Sequence, residues 1–272
     1  MSLLEVSKSL LRKHRIAPNK LLGQNFIIDS SVFESMGEYA SLSRDDVVLD
    51  IGAGLGFLTR FLAERCRNVL AVEADPKLVA VLSERLQGLT NVELISGNVL
   101  KVQLPSFNKV VSIPPYQISS RLLLWLFGRG FDCAIAIFQK EFAERLIAEV
   151  GSEEYGWLTV LAYYYAEAEL LDSVPKSSFH PQPEVDSVIV RLRPRKQPPF
   201  SVNCVASFRQ MLQSLFTQRN RKVRNAILPF LKGIRGIKTE NALSLADSVP
   251  FRDKRTRELA PEDFGELANA FT

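Results

Sequence analysis

The run Asp50-Ile51-Gly52-Ala53-Gly54-Leu55-Gly56 closes an apolar stretch (Val47, Val48, Leu49) and opens a helix-period segment from Phe57 to Cys66. Glycines at alternate positions let the backbone turn sharply from strand to helix and approach a ligand that a Cβ would push away. Twenty-three positions beyond Asp50, a second apolar strand, Val69 to Val72, ends in Glu73. A carboxylate there can accept hydrogen bonds from both hydroxyls of a ribose, as acidic residues about 20 positions after such a turn do in doubly wound folds. Turn and acid together predict a site for a nucleotide-containing ligand.

A second constellation, Ser112-Ile113-Pro114-Pro115-Tyr116-Gln117-Ile118-Ser119, stands where a further strand should end. Its prolines stiffen the loop and leave carbonyls free as acceptors, and Tyr116 offers a flat face on which a flipped-out base can stack. Such a loop suits methylation of the exocyclic amine of adenine. That nitrogen is a poor nucleophile because its lone pair is delocalised into the ring. Acceptors for both amino hydrogens draw it toward tetrahedral geometry and localise the lone pair for attack on a methyl sulfonium. The G-x-G-x-G spacing of the turn, in place of the G-x-G-x-x-G of dinucleotide oxidoreductases, points the same way.

The elements that must position these groups alternate between strand and helix. Asp75-Pro76 reads as an N-cap followed by proline at N1, starting a helix through about Gln87. Strands are expected at Val92 to Ile95, Lys109 to Ile113 and Cys133 to Phe138, with helices starting near Ser119 and Lys140. Two more strands, near Ala166 to Leu171 and Ser187 to Leu192, are joined by a Pro-rich connection and should finish the sheet as a hairpin. Parallel units ending in an antiparallel strand describe the Rossmann-like, mostly parallel seven-stranded sheet of class I methyltransferases. Beyond Pro194 the pattern changes. Pro198-Pro199 reads as a linker, and the rest is helical in period with breaks at Pro229, Gly233, Gly236 and Pro250. The expected division is a catalytic domain over 1–197, N-terminal arm included, and a small helical domain over 198–272.

With 272 residues, 46% hydrophobic and 24% charged, the chain can bury one large core and a smaller one. No stretch approaches 18 uninterrupted apolar residues, and the basic N-terminal stretch (Arg12, Lys13, Arg15) has no apolar run or small-residue cleavage site behind it. Export and membrane spanning are therefore not expected, and a cytoplasmic protein is. Cys66, Cys133 and Cys204 are odd in number, far apart and without His clusters, so they read as reduced, buried small hydrophobes, with no metal. Residues 1–24 carry five Lys/Arg against one acid and residues 201–272 carry twelve against seven, while the whole chain is only +4. Basic ends around an acidic middle suggest a polyanion held from both sides. Arg219, Arg221, Lys222 and Arg224, in a stretch read as helical, and the cluster Arg252, Lys254, Arg255 and Arg257 can contact phosphates without reading sequence.

Taken in order, Leu22-Gly23-Gln24-Asn25-Phe26-Ile27, the Gly52 turn, Glu73, Gly97-Asn98, Pro115-Tyr116, Gln139-Lys140-Glu141 with Ala143 and Arg145, and Tyr155-Gly156 resemble one family over nearly the whole chain. Phe179-His180-Pro181-Gln182-Pro183 with Val185-Asp186-Ser187, and Arg219 to Asn225, continue the match. That family is the small-subunit ribosomal RNA adenine N6,N6-dimethyltransferases (KsgA-type), related to the erythromycin-resistance methyltransferases. The resemblance implies an S-adenosylmethionine-dependent enzyme that modifies one or two adjacent adenines in a loop near the 3′ end of small-subunit rRNA, within a pre-ribosomal subunit and as a monomer. It implies that Asn25 and Ile27 border the methionine part of the cofactor, that Gly52 and Gly54 approach its backbone, that Glu73 holds its ribose and that Asn98 meets its adenine amino group. Tyr116 and Phe179 would sandwich the target base, with Ile113, Pro114 and Pro115 completing the catalytic loop. His180 is read as a bystander.

Two positions depart from the family pattern. Ile113 stands where the family has an Asn that accepts from the target amine, which no aliphatic side chain can do. The Pro114 carbonyl remains as an acceptor, and Ser112 would substitute if the strand end carries a one-residue bulge. Asn98 replaces an Asp, keeping a carbonyl acceptor without the charge, so cofactor affinity should weaken modestly. Two other readings fit the same motifs: a ribosome-assembly or RNA-binding factor that kept the fold and lost most turnover, and a large-subunit rRNA adenine methyltransferase of the resistance type.

Overall fold

The computed structural model describes residues 1–19 and 23–271; Leu22 of the first shared motif lies outside them. In chain order the elements are α1 (Leu3–Lys13), β1 (Phe26–Ile27), α2 (Ser31–Tyr39), β2 (Val47–Ile51), α3 (Phe57–Ala63), β3 (Asn68–Glu73), α4 (Pro76–Arg85), β4 (Val92–Ser96), β5 (Lys109–Ser112), α5 (Ser119–Leu126) and β6 (Cys133–Gln139). They continue with α6 (Lys140–Glu144), α7 (Trp157–Tyr165), β7 (Ala166–Val174), β8 (Phe179–His180), β9 (Ser187–Pro194), α8 (Val205–Phe216), α9 (Val223–Ala226), α10 (Thr239–Ser248) and α11 (Pro261–Asn269).

The chain forms two compact units, one of residues Met1–Ala143 and Ala168–Pro194, the other of Glu144–Glu167 and Arg195–Thr272. In the first, seven strands lie in the order β4-β3-β2-β5-β6-β9-β7. β2 pairs in parallel with both β3 and β5, and β6 with β5. β9 runs antiparallel to β6, with Ser187 opposite Gln139. This is the class I methyltransferase sheet that the sequence predicts. Val48, Leu49, Val69, Ala71, Val110, Val111, Ala134 and Ile135 are all fully buried, as expected of central parallel strands covered by helices on both faces. The chain leaves β2 toward β3 and β4 on one side, then returns to β5 and β6 on the other, so the carboxyl ends of β2 and β5 lie side by side. That is the topological switch point, where open α/β sheets bind ligands.

Local chemistry sets the entries to the helices around this point. Ser2 caps α1 through a reciprocal box with Glu5, accepting from the Glu5 N–H at 3.2 Å while its own N–H donates to the Glu5 carboxylate at 2.8 Å. Asp75 caps α4 by accepting from the Lys77 N–H at 2.9 Å, with Pro76 at the first helical position. Phe26 and Ile27 pair with His180 and Phe179 in a separate two-stranded ribbon that ties the N-terminal arm to the loop before β9.

The second unit is built around Phe208, Met211, Leu212 and Leu215 of α8, Phe230, Leu231, and Phe264 and Leu267 of α11, all essentially inaccessible. The buried Tyr155 donates its hydroxyl to the Leu259 carbonyl at 2.8 Å. The composition change near Pro194 marks only one of the two stretches in this unit. The other, Glu144–Glu167, contains an α7 as apolar as any core helix, so composition does not set it apart. Cys204 also departs from expectation: Cys66 and Cys133 are buried, whereas Cys204 is exposed at the start of α8, where the chain has not yet turned into the core.

Candidate active site

A cleft of about 610 Å³ opens at the switch point of the first unit. Asn25, Gly52, Gly54, Glu73, Asn98, Ile113 and Pro115 all line it, so seven of the residues singled out in the sequence converge there. Gly52 has φ +74° and Gly54 φ +58°, a left-handed backbone that side-chain-bearing residues rarely adopt. A Cβ on Gly52 would lie 2.9 Å from Cδ of Pro115. The turn after β2 and the loop after β5 therefore pack against each other, and glycine is required there by the protein's own packing.

Glu73 is buried, at 8% exposure, and its carboxylate holds the turn together. One oxygen accepts from the Gly54 N–H at 2.9 Å; the other accepts from Ala74 at 2.8 Å and Asp75 at 2.9 Å. A carboxylate offers about four acceptor positions, so roughly one remains for a ligand at the cleft. Burial raises the Glu73 pKa, and the three N–H bonds oppose that rise. Behind it, Asp50 is 1% exposed and accepts from the Thr59 hydroxyl at 2.6 Å. Burial pushes Asp50 up to about 7, with Thr59 lowering it and the Glu73 charge adding a smaller rise.

The loop after β5 is fixed at several points. Tyr116 shares a 2.7 Å hydrogen bond with the hydroxyl of Ser187, which is wholly buried at the start of β9. Ser119 donates to the Tyr116 carbonyl at 2.8 Å, and the Ile118 N–H to the Pro115 carbonyl at 3.1 Å. The Pro114 carbonyl takes no hydrogen bond from the described residues. Burial pushes the Tyr116 phenol up to about 12, so it stays a neutral hydroxyl.

Several expectations need correction. β5 ends at Ser112, paired in regular register with Ala136, with no bulge. The Ser112 hydroxyl is completely buried without a partner, so it cannot reach a target amine. Ile113 instead packs against the core cluster of which Val111 is a member, and also lines the cleft. Phe179 is 1% exposed within that same core cluster, held there by the β1–β8 ribbon, and lines neither the cleft nor its annex. An open sandwich with Tyr116, itself only half-buried but outside the cleft lining, is therefore not present. Ile27 is likewise buried, bordering a neighbouring hollow of about 50 Å³. The Asn98 carbonyl oxygen already accepts from the Leu100 N–H at 2.9 Å, which takes part of the capacity expected for an adenine amino group.

Sequence reasoning passed over Gln24, although it lies inside a quoted motif. Its amide donates to Asp75 at 2.7 Å and accepts from the Asn19 N–H at 2.8 Å, tying the N-terminal loop to the α4 cap across the cleft. Arg121, on α5, also lines the cleft. Nothing in its local sequence separates it from a surface arginine.

The basic residues of the second unit form a different arrangement from the helical stretch expected. α8 ends at Phe216 and α9 begins only at Val223, so Arg219, Arg221 and Lys222 lie in the connection. Arg219 donates its guanidinium to the Ser152 and Glu153 carbonyls, which makes it a brace within the unit and not a free cation. Arg221 is exposed with no side-chain partner among the described residues, while Lys222 and Arg224 pair with Asp253 at 3.2 and 3.4 Å.

The family described as Ribosomal RNA adenine dimethylase matches residues 16–256. A protein of Methanosarcina acetivorans called "Probable ribosomal RNA small subunit methyltransferase A" is 40% identical over 264 residues, covering 96% of each chain. Among solved structures, a dimethyladenosine transferase from Plasmodium falciparum superposes with a TM-score of 0.74 at 28% identity, covering 89% of this chain and 95% of that one. The 23S rRNA methyltransferase ErmE superposes at 0.64, also at 28% identity, covering 90% and 99%.

Proposed function

This chain belongs to the ribosomal RNA adenine dimethylase family, and we propose that it transfers methyl groups from S-adenosylmethionine to N6 of adenine in small-subunit rRNA, as the name of its 40%-identical relative suggests. The observation that carries the reading is the meeting of two loops in one cleft: the Gly52–Glu73 turn that suits a nucleoside and the loop after β5, which reaches the cleft through Ile113 and Pro115.

The cleft residues fit the methyl donor. The remaining acceptor position of Glu73 suits a ribose hydroxyl, Val72, Leu78 and Val99 give apolar walls for a purine, and Asn25, Gly52 and Gly54 border the end nearer Ile113. When bound, S-adenosylmethionine supplies an electrophilic methyl group on a sulfonium. The protein's part is to present and orient the amine. Gly52 against Pro115 and Tyr116 against Ser187 hold the loop rigid without a ligand, so little ordering remains at the moment of reaction. Pro114 is buried and does not itself line the cleft, and its unshared carbonyl is the acceptor that must meet an amino hydrogen and localise the nitrogen lone pair. Tyr116 provides the stacking surface, and the amine proton leaves to solvent without a dedicated base. Phe179 belongs to the core cluster on which Ile113 packs. Arg221, Lys222 and Arg224 contribute contacts to RNA phosphates, and Arg219 supports them from below.

The experiment is tritiated methyl transfer to undermethylated small subunits, with the modified bases then mapped. Label at N6 of small-subunit adenines is expected. Binding without label would favour the assembly-factor reading, and label on large-subunit RNA would move the target.

A further inference from the structure

We infer that Asp253 is an internal counter-charge on the basic residues of the second unit, which an RNA phosphate must displace before those residues engage it. The inference rests on the rRNA reading above. Although far apart in sequence, the stretches run against each other: the Val223 N–H donates to the Lys254 carbonyl at 2.9 Å, Arg224 to Arg252 at 3.1 Å, Thr256 to Arg221 at 3.1 Å and Arg257 to Arg219 at 3.1 Å. Lys222 and Arg255 form the bridge at the centre of this pairing. Cations that sequence assigns to two clusters are thus held on one backbone frame.

Asp253 sits in the middle of that frame. Its carboxylate lies 3.2 Å from the Lys222 ammonium, 3.4 Å from the Arg224 guanidinium and 3.4 Å from that of Arg252. The Lys222 hydrogen bond, with the three positive charges behind it, holds the Asp253 pKa below its ordinary value. A carboxylate and a phosphate ask the same thing of a guanidinium or ammonium group, which is N–H donors aimed at an anionic oxygen. Asp253 therefore occupies the geometry that a phosphate would take. Its side chain is 56% exposed, and solvated ion pairs of this kind contribute little to folding. The frame is held by backbone hydrogen bonds that do not involve the carboxylate. What the carboxylate does change is the free charge offered to RNA: three cations are partly neutralised until a polyanion competes for them. That weakens non-specific capture and speeds release.

The test is Asp253→Asn, which keeps the shape and removes the charge, measured for binding to a short A-form RNA duplex and to undermethylated small subunits over a salt series. The expected result is about fivefold tighter binding at low salt and a log K against log[salt] slope steeper by about one, since each additional cation engaged releases condensed counterion. Arg224→Glu should weaken binding both in the wild-type background and when combined with Asp253→Asn. Wild type that binds with a normal salt slope, beside an Asp253→Asn variant that is unchanged or weaker, would overturn the role of Asp253 and leave the rRNA reading standing. Wild type with no salt-dependent RNA binding would overturn the engagement of RNA by these residues. The methyl-transfer assay then decides separately whether the rRNA reading falls with it.

Discussion

Replacing Glu73 by Ala tests most directly whether the proposed cofactor binding and the folding of this site rest on the same carboxylate. From sequence, the substitution should remove the ribose acceptor, abolish measurable S-adenosylmethionine affinity and leave the fold intact; the structure points instead to a partial loss of affinity together with damage to the fold. Three backbone N–H groups lose a charged acceptor. Gly54 is buried, whereas Ala74 is exposed and Asp75 half-exposed, so only the Gly54 N–H bears the full desolvation penalty of about 1–3 kcal/mol, and water replaces the other two bonds at smaller cost. Relief from burying a carboxylate offsets part of the loss. The net expectation is a destabilisation of about 2–3 kcal/mol, or about 5–10 °C in Tm for a unit of this size. Because about one acceptor position remains free, cofactor affinity should fall through the loss of a single charge-assisted bond, about 10- to 100-fold. Thermal melts and calorimetry with S-adenosylmethionine, run at a temperature where the variant is folded, measure the two effects. A variant that melts with wild type would show that the turn does not depend on the carboxylate. Unchanged affinity would show that the ribose lies elsewhere.

Three further outcomes are expected. Asp50 has a folded pKa of about 7 against 3.8 unperturbed, so its contribution to stability is fully present below 3.8 and is lost as pH rises through about 7, a span on the order of 4 kcal/mol; Asp50→Asn should flatten the urea-unfolding free energy between pH 5 and 8, and equal pH slopes for both proteins would refute this. Ser187→Ala and Tyr116→Phe should each lower single-turnover methyl transfer by about tenfold with little change in cofactor affinity, and the double variant should be no worse than either single one, since both remove the same 2.7 Å bond; additive losses would show that the pair does not act together. Ile113→Asn should be neutral or harmful, because an amide would stand where the core takes an aliphatic group, and Ser112→Ala should leave the rate unchanged; a faster Asn variant in single-turnover methylation would show instead that the side-chain acceptor limits the chemistry.

The sheet was legible because its central strands are buried on both faces and read as short apolar runs, each with a polar or loop residue at its end: Asp50 near the end of β2, Glu73 at the end of β3, Ile113 after β5. Elements that owe their existence to tertiary pairing were not. β1 and β8 are two residues each, and neither has a period to read. Their pairing nevertheless decides where Phe179 goes, and so why an aromatic expected at the target base is found in the core. Arg219 shows the same limit from the side of charge. Its sequence context is that of its neighbours Arg221 and Lys222, and only the position of the Ser152 and Glu153 carbonyls turns it into an internal brace. The place of Glu73 at a strand end is readable from the pattern, but its bonds to three local N–H donors follow from the shape of the turn, which a residue pattern does not contain.

The same distinction explains how the site accommodates Ile113. What β5 must deliver at the switch point is a rigid loop with an acceptor and a flat ring, and rigidity here comes from contacts that do not involve position 113: Pro115 in the space left by Gly52, Tyr116 on Ser187, Ser119 on the Tyr116 carbonyl. A side-chain amide at 113 would add one acceptor to a loop that already holds the Pro114 carbonyl unshared. Removing one such preorganised contact costs about 10² to 10³ in rate where nothing replaces it, which sets the upper bound on what the aliphatic residue can cost here. Ile113 itself packs on the neighbouring core cluster, so an amide introduced there would have to give up apolar packing for an acceptor that the loop already supplies.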